Sequence, residues 1–215
     1  MPIVLASASP RRRQLLKNAG IDFDVRPANI PEVRRQGEKA QAFAERMARE
    51  KARAIFAGNH DKYVLGADTV VVVRAAKPQE VPDDQIPSPG PGGTGVSSIH
   101  GELVLGKPED EQDAARMLRL LSNRKHYVIT GVCLTGNEFE DVRSETTTVH
   151  FSAMSDAEIR DYIATGEPMD KAGAYAIQGL ASRWISEIEG DYSNVVGLPV
   201  PLILQMLRDQ RVGGD

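Results

Sequence analysis

The stretch 1-MPIVLASASPRRRQLLKNAG-20 decides the fold of this 215-residue chain. Ile3–Leu5 is a short apolar run of the kind that forms a buried strand. Ser9 suits a helix N-cap and Pro10 suits the first helical position, where a missing N–H costs nothing. Apolar residues then recur at helical spacing until Gly20. The stretch therefore predicts a strand that runs directly into a helix.

The first turn of this helix carries three consecutive arginines, Arg11, Arg12 and Arg13. A helix N-terminus is already the positive end of the helix dipole, so three cations there are unfavourable unless an anion lies among them. The alternative is that the arginines are simply solvated. Two serine hydroxyls and the backbone donors of the first turn lie beside them and favour a phosphate site.

The composition is that of an ordinary globular protein, with 41% hydrophobic and 26% charged residues. The formal net charge of −4 argues against a broad surface for nucleic acid. No apolar run is long enough to span a membrane, and the N-terminus lacks the pattern of a signal peptide, so we expect a cytoplasmic protein. Cys133, the single cysteine, lies in an apolar run and is expected to act as a small buried hydrophobe.

The remaining chain alternates between strand and helix patterns. Strands are predicted over 21–30, 63–73, 101–108, 127–135, 142–151 and 183–188, and helices over 38–56, from 109, over 155–166 and through 202–207. This order predicts an α/β fold with a mixed β-sheet flanked by helices. We expect one domain over 1–215. The segment 75–100 has four prolines between 82 and 91 and cannot build a core, so it is expected to be a flexible surface insertion.

Three charged residues stand out for chemistry. Asp68 interrupts a continuous apolar strand, where a carboxylate is costly unless it meets a cation or a donor or leaves the sheet. Lys51 lies at the margin of the apolar face of the 38–56 helix, from which it can reach either water or a cleft. Glu32 follows another strand-like segment. Two carboxylates without a nearby histidine or thiol suit Mg²⁺ or Mn²⁺, and either carboxylate could orient an attacking water.

Five motifs together resemble one known family. They are SASPRRRQLL (7–16), GADTVVV (66–72), GKP (106–108), DKAGAYAIQG (170–179) and GDYSNVVGLP (190–199). They are similar to the Maf family of nucleoside triphosphate pyrophosphatases, and the likeness runs from Ile3 to Arg208 without the 75–100 segment. The resemblance implies an elongated mixed sheet with two lobes around a central cleft, and a homodimer. It also implies metal-dependent hydrolysis of a nucleoside triphosphate to the monophosphate and pyrophosphate.

The resemblance also implies roles for single residues. Asp68 would be the catalytic base, and Glu32 with Asp68 would hold Mg²⁺ or Mn²⁺. The phosphate-binding residues would be Ser7, Arg11, Arg12, Lys51 and Lys107, and the residues setting base preference would be Arg11, Thr69 and Gln178. GADT followed by AYAIQG resembles the branch that acts on dTTP and UTP. The amide of Gln178 offers one donor and one acceptor, which matches the imide edge of uracil or thymine.

Two other functions stay open from the residues alone. A regulatory protein, for example in cell division, could bind a nucleotide without turning it over and would not need Asp68. A transferase would need an acceptor site, which the sequence does not show. For Asp170 and Lys171, an ion pair is as well supported as a role in ligand binding.

Overall fold

A computed structural model describes residues 3–58, 61–74, 97–99 and 101–212. The strands are β1 (Ile3–Leu5), β2 (Phe23–Val25), β3 (Tyr63–Arg74), β4 (Ser97–Ile99), β5 (Glu102–Leu105), β6 (Lys125–Thr135), β7 (Glu140–Phe151) and β8 (Ile185–Glu189). The helices are α1 (Pro10–Asn18), α2 (Ala40–Phe56), α3 (Glu111–Leu121), α4 (Asp156–Ala164), α5 (Tyr192–Val196) and α6 (Val200–Val212). Short 3-10 helices cover Glu167–Asp170, Ala172–Ala174 and Leu180–Trp184.

These eight strands form one mixed sheet in the order β2-β1-β3-β6-β7-β8, with β5 on β3 and β4 on β5. β1 is parallel to both β2 and β3, and every other pairing is antiparallel. The predicted mixed sheet flanked by helices is therefore confirmed. The strand-to-helix reading of the first stretch is also confirmed, with Ser9 as the N-cap and Pro10 in the first turn of α1.

One edge of β3 is shared by two partners. β1 pairs with Tyr63, Val64 and Leu65, and β5 pairs with 71–74 further along the same strand. The opposite edge of β3 pairs with β6 over 64–72. On the edge that carries β1 and β5, residues 66–70 have no strand beside them in the described part of the chain. The sheet is therefore open at the middle of β3, where Asp68 lies.

Helix α2 lies unusually close to the sheet because two glycines face it. A Cβ on Gly66 would stand 2.1 Å from the carbonyl oxygen of Ala48, and one on Gly131 would stand 2.4 Å from that of Ala44. Side chains alternate along a strand, so Asp68 shares the α2 face with Gly66, while Thr69 lies on the opposite face. Asp68 therefore faces α2, and its neighbour Thr69 faces the layer on the other side of the sheet.

Buried apolar residues form clusters on both faces of the sheet. One cluster packs α3 and α4 against β3, β6 and β7, and a second packs α1 and α6 around β1. Cys133 is fully buried in the cluster under α2, as predicted. None of the helices in the described residues combines the length and apolar character needed to cross a membrane.

Some boundaries differ from the sequence prediction. The strand predicted over 183–188 begins at Ile185, because Leu180–Trp184 forms a 3-10 helix. The strand predicted over 21–30 is limited to Phe23–Val25, and α5 was not predicted. Within the predicted insertion, Ser97–Ile99 forms β4, which pairs with β5. The rest of that prediction, 75–96 and 100, lies outside the described residues.

Candidate active site

A cleft of about 550 Å³ opens beside residues 66–70 of β3, on the edge that carries β1 and β5. All nine residues predicted from the sequence to form the site line it: Ser7, Arg11, Arg12, Glu32, Lys51, Asp68, Thr69, Lys107 and Gln178. β1 and β5 both end at this opening, which brings Ser7 and Lys107 to it from opposite sides. Residues distant in the sequence therefore share one cavity because the sheet divides at β3.

Lys51 joins the two carboxylates of the cleft. Its Nζ lies 2.6 Å from Asp68 Oδ1 and 2.6 Å from Glu32 Oε1. Lys51 is 7% exposed and Asp68 is 6% exposed, whereas the Glu32 side chain is 46% exposed. The lysine predicted at the margin of α2 is therefore buried and turned into the cleft, because the glycines of the sheet admit α2 at short range.

The two carboxylates meet different electrostatic environments. Burial raises the pKa of Asp68, with a further increase from the charge of Glu32, and Lys51 and Arg12 only partly oppose this. Burial also acts to raise the pKa of Glu32, but attraction to Lys51, Lys107 and Arg12 holds it below its ordinary value. Such a separation assigns different tasks to two acids. Asp68 is the better proton acceptor, and Glu32 is the more persistent anion.

Arg12 is a buried clamp across the floor of the cleft. Its Nε donates to the carbonyl oxygen of Gly197 at 2.8 Å, and its Nη1 donates to Ala67 O at 2.8 Å and to Ser7 Oγ at 3.2 Å. Its Nη2 donates to Thr69 Oγ1 at 3.0 Å. Ala67 lies where β3 has no strand on the edge that carries β1 and β5. The guanidinium of Arg12 therefore supplies the donor to Ala67 O that a strand would otherwise supply.

A buried polar chain continues from Thr69 into the last motif. Thr69 Oγ1 lies 3.0 Å from Thr130 Oγ1, whose hydroxyl donates to the carbonyl oxygen of Asn194 at 3.4 Å. Asn194 is fully buried and donates to Val128 O and Thr147 Oγ1. Sequence reasoning missed Thr130 and Asn194. Asn194 lies in the quoted motif GDYSNVVGLP, which was the available signal, whereas Thr130 has none.

The remaining predicted residues, Ser7, Arg11, Lys107 and Gln178, also line the cleft. Ser7 Oγ accepts from Arg12 and from the backbone N–H of Ser9. Arg11 is partly exposed and forms an ion pair with Asp170 at 3.7 Å. Lys107 and Gln178 are exposed residues of the lining. Asp170 also pairs with Lys171, so the ion-pair interpretation of these two residues describes the structure.

The donor set of the cleft fits a hard divalent cation. Oxygens of Glu32 and Asp68 contact the same ammonium group, so one small cation at that point would reach both. Mg²⁺ and Mn²⁺ prefer such carboxylate ligands and complete their shell with water or substrate phosphate. A different group of possible ligands, His150, Glu187 and Glu189, lies on β7 and β8 and does not line the cleft.

Comparison with known proteins identifies the family. The sequence matches the family described as "Maf-like protein" over residues 2–88 and 91–210. The chain belongs to this family. The match of this Maf-like protein also covers 75–88 and 91–100, which the sequence motifs had left out.

Three curated relatives of this Maf-like protein share a name. A "dTTP/UTP pyrophosphatase" of Koribacter versatilis is 50% identical over 97% of this chain and 94% of the relative. Proteins of the same name from Anaeromyxobacter sp. and Geobacter sulfurreducens are each 44% identical, over 96% and 98% of this chain and 88% and 96% of the relatives. A solved dITP/XTP pyrophosphatase of Mycobacterium abscessus is 17% identical with a TM-score of 0.39, covering 72% of this chain and 76% of that one.

Proposed function

We propose that this Maf-like protein hydrolyses dTTP and UTP to the nucleoside monophosphate and pyrophosphate. The observation that carries the proposal is the buried Asp68, raised in pKa and held by Lys51, within a cleft that also gathers the cations Arg11, Arg12 and Lys107. The name shared by relatives at 44–50% identity over nearly the whole chain supports the same substrates.

Asp68 is the proposed general base. Its carboxylate accepts a proton from the attacking water, and its raised pKa makes it a stronger acceptor than an ordinary aspartate. In the cleft without a metal, Lys51 donates to Oδ1 of Asp68, and its positive charge favours the ionised carboxylate against the effect of burial on the pKa. Such a base is worth about 10²–10⁴ in rate.

Glu32 and Asp68 are the proposed holders of Mg²⁺ or Mn²⁺. When bound, the cation would supply positive charge to the phosphate oxygens and to the water. The persistent negative charge of Glu32, whose pKa stays low, suits it to this task. A cation held there would take over the role of the Lys51 ammonium group beside the two carboxylates, and the ammonium group would then be available to a phosphate.

The triphosphate is proposed to lie across the mouth of the cleft. Ser7 and the first turn of α1 offer it a hydroxyl and backbone donors at the positive end of a helix. Arg11 and Lys107 are accessible and can meet phosphate directly, Arg11 by leaving its long ion pair with Asp170. Arg12 adds positive charge from behind and holds Ser7 and Thr69 in place.

Base preference is proposed to reside in Arg11, Thr69 and Gln178. Gln178 lies exposed on the lining, and its amide can donate to a carbonyl of the base and accept from the imide N–H. A site that hydrogen-bonds this edge rejects bases that leave its polar groups unpaired.

From the resemblance alone, we also propose that the protein has two lobes, is cytoplasmic and forms a homodimer. Light scattering coupled to gel filtration measures its oligomeric state and so tests the homodimer.

The direct test is release of pyrophosphate from dTTP, UTP, CTP, ATP and GTP with Mg²⁺, with Mn²⁺ and with excess chelator. The proposal expects turnover that requires the metal and is faster for dTTP and UTP than for the other three. Binding of nucleotide without any release of pyrophosphate would instead support a regulatory protein. An equal rate on all five nucleotides would contradict the assignment to pyrimidine substrates.

A further inference from the structure

The backbone that carries Gln178 is fixed from outside the cleft. We call residues 176–180 the Gln178 loop. At its start, the N–H of Ala176 donates to the hydroxyl oxygen of Tyr162 at 3.2 Å. At its end, the N–H of Leu180 donates to Glu167 Oε2 at 3.2 Å. The hydroxyl of Tyr162 donates to Glu167 Oε1 at 2.7 Å, so one hydrogen-bonded pair holds both ends of the loop.

Gly179 lets the Glu167 carboxylate approach the loop. A Cβ at Gly179 would stand 2.2 Å from Glu167 Oε1 and 2.3 Å from Oε2. Gly179 has a negative φ of −108°, outside the left-handed region that favours glycine, and the atoms that a Cβ would meet belong to the end of the Glu167 side chain. An alanine at this position would therefore displace the carboxylate.

The pair is itself anchored in the protein interior. Tyr162 is 2% exposed, and its ring packs on that of Trp184 with 5.5 Å between the centroids. Lys171 Nζ donates to the carbonyl oxygen of Glu167 at 3.1 Å, which fixes the backbone of the glutamate. Neither Tyr162 nor Glu167 lines the cleft. The pair reaches the cleft through the Gln178 loop and through Lys171, which lines the cleft.

We infer that Tyr162 and Glu167 are positioning residues that set the base discrimination of the site by fixing where Gln178 stands. This inference rests on the proposed function. The imide edge of uracil presents an N–H donor beside a carbonyl acceptor, whereas cytosine presents a ring acceptor beside an amino donor. An amide that shifts or turns over can serve either edge. Discrimination between UTP and CTP therefore depends on where the backbone of the loop places Gln178 relative to the base.

The experiment measures kcat/KM for UTP and for CTP in the full-length protein with Mg²⁺. Tyr162→Phe removes both hydrogen bonds of the hydroxyl and keeps the ring, and Gly179→Ala displaces the Glu167 carboxylate without removing it. Each variant is expected to lower the UTP-to-CTP ratio of kcat/KM by about tenfold. Gln178→Ala is expected to lower the ratio at least as much. Adding Tyr162→Phe to Gln178→Ala should then change the ratio no further.

Ile163→Val is the matched control, because it trims a buried neighbour of Tyr162 on α4 and touches no hydrogen bond of the loop. It should leave the ratio at the wild-type value. Unchanged ratios in both Tyr162→Phe and Gly179→Ala, with discrimination intact in the wild type, would overturn the inference alone. Additive effects of Tyr162→Phe and Gln178→Ala would overturn it as well. A wild-type protein that releases no pyrophosphate from UTP would overturn the proposed function and the inference together.

Discussion

The ammonium nitrogen of Lys51 lies 2.6 Å from Oδ1 of Asp68, and both side chains are buried. The contact exists because Gly66, two residues before Asp68 on the same face of β3, lets the backbone of α2 approach the sheet. The candidate base is therefore positioned by helix packing as well as by its own strand.

Replacing Lys51 with Met should destabilise the protein because it leaves Asp68 buried without its main cation. The expected loss in free energy of unfolding at neutral pH is about 3 kcal/mol. Burial already raises the pKa of Asp68, and loss of Lys51 raises it further. The folded variant then binds more protons than the unfolded chain at mildly acidic pH, so its stability should recover as the pH falls.

Urea denaturation of wild type and Lys51→Met between about pH 8 and pH 5 measures this effect. The double variant Lys51→Met/Asp68→Asn is the control, since it has no buried charge at position 68 to protonate. It should be more stable at neutral pH than Lys51→Met. A stability difference from wild type that stays constant with pH would contradict the account of this pair.

Gly66→Ala tests the packing that brings Lys51 to Asp68. An added methyl group would stand 2.1 Å from the backbone oxygen of Ala48 and would push α2 away from the sheet. The expected cost is about 3 kcal/mol in the free energy of unfolding. Gly58→Ala is the matched control, because a Cβ at Gly58 meets nothing within 4 Å. Equal thermal midpoints for the two variants would show that α2 does not depend on this contact.

Arg12→Lys tests the clamp on the other face. Lysine keeps the positive charge, but a single ammonium group cannot replace the guanidinium that joins Gly197, Ala67 and Thr69. We expect a loss of about 2 kcal/mol in the free energy of unfolding, and a higher KM for dTTP. Arg13→Lys, at an exposed position of the same helix turn, should retain wild-type values of both. Identical behaviour of the two variants would contradict a structural role for Arg12.

His126 should make the fold sensitive to acid. Burial lowers its pKa to about 3, and its Nε2 lies 2.8 Å from the hydroxyl of Tyr175. An unfolded histidine takes up a proton near its ordinary pKa of about 6.5, so the stability contributed by neutral His126 is complete above that pH. Below it, the unfolded chain binds more protons, and stability should fall by about 1.4 kcal/mol per pH unit down to about pH 3.

His126→Gln removes the titrating ring and keeps a polar partner for Tyr175. Urea denaturation between about pH 6 and pH 4 should show a shallower loss of stability in this variant than in wild type. Parallel curves for the two proteins would show that His126 is not the source of the acid sensitivity.

Local patterns in the sequence predicted much of this structure. The Ser9-Pro10 start of α1, the helix predicted over 155–166 and the buried β3 are all present. Each depends on neighbours within a few residues, which a sequence shows directly. The carboxylate in β3 was expected to meet a cation or a donor or to leave the sheet, since an unpaired charge there is too costly, and the cation is Lys51.

Contacts between distant segments could not be predicted in the same way. The burial of Lys51 depends on Gly66 and Gly131, which let the backbone of α2 pack closely against the sheet. The spacing of apolar residues in α2 does not indicate this close packing. The 3-10 helix before β8 begins at Leu180, whose backbone N–H donates to the side chain of Glu167. The polar chain from Thr69 to Asn194 joins residues whose side chains meet only in the folded sheet.

The central claim is that ionised Asp68 accepts the proton of the attacking water. The measurement that tests it most directly is kcat for pyrophosphate release from UTP with Mg²⁺ in Asp68→Asn, with far-UV circular dichroism and the thermal midpoint as checks of folding. The account predicts a fall of at least about 100-fold in kcat for a variant that remains folded. A folded Asp68→Asn protein with the wild-type kcat would contradict it.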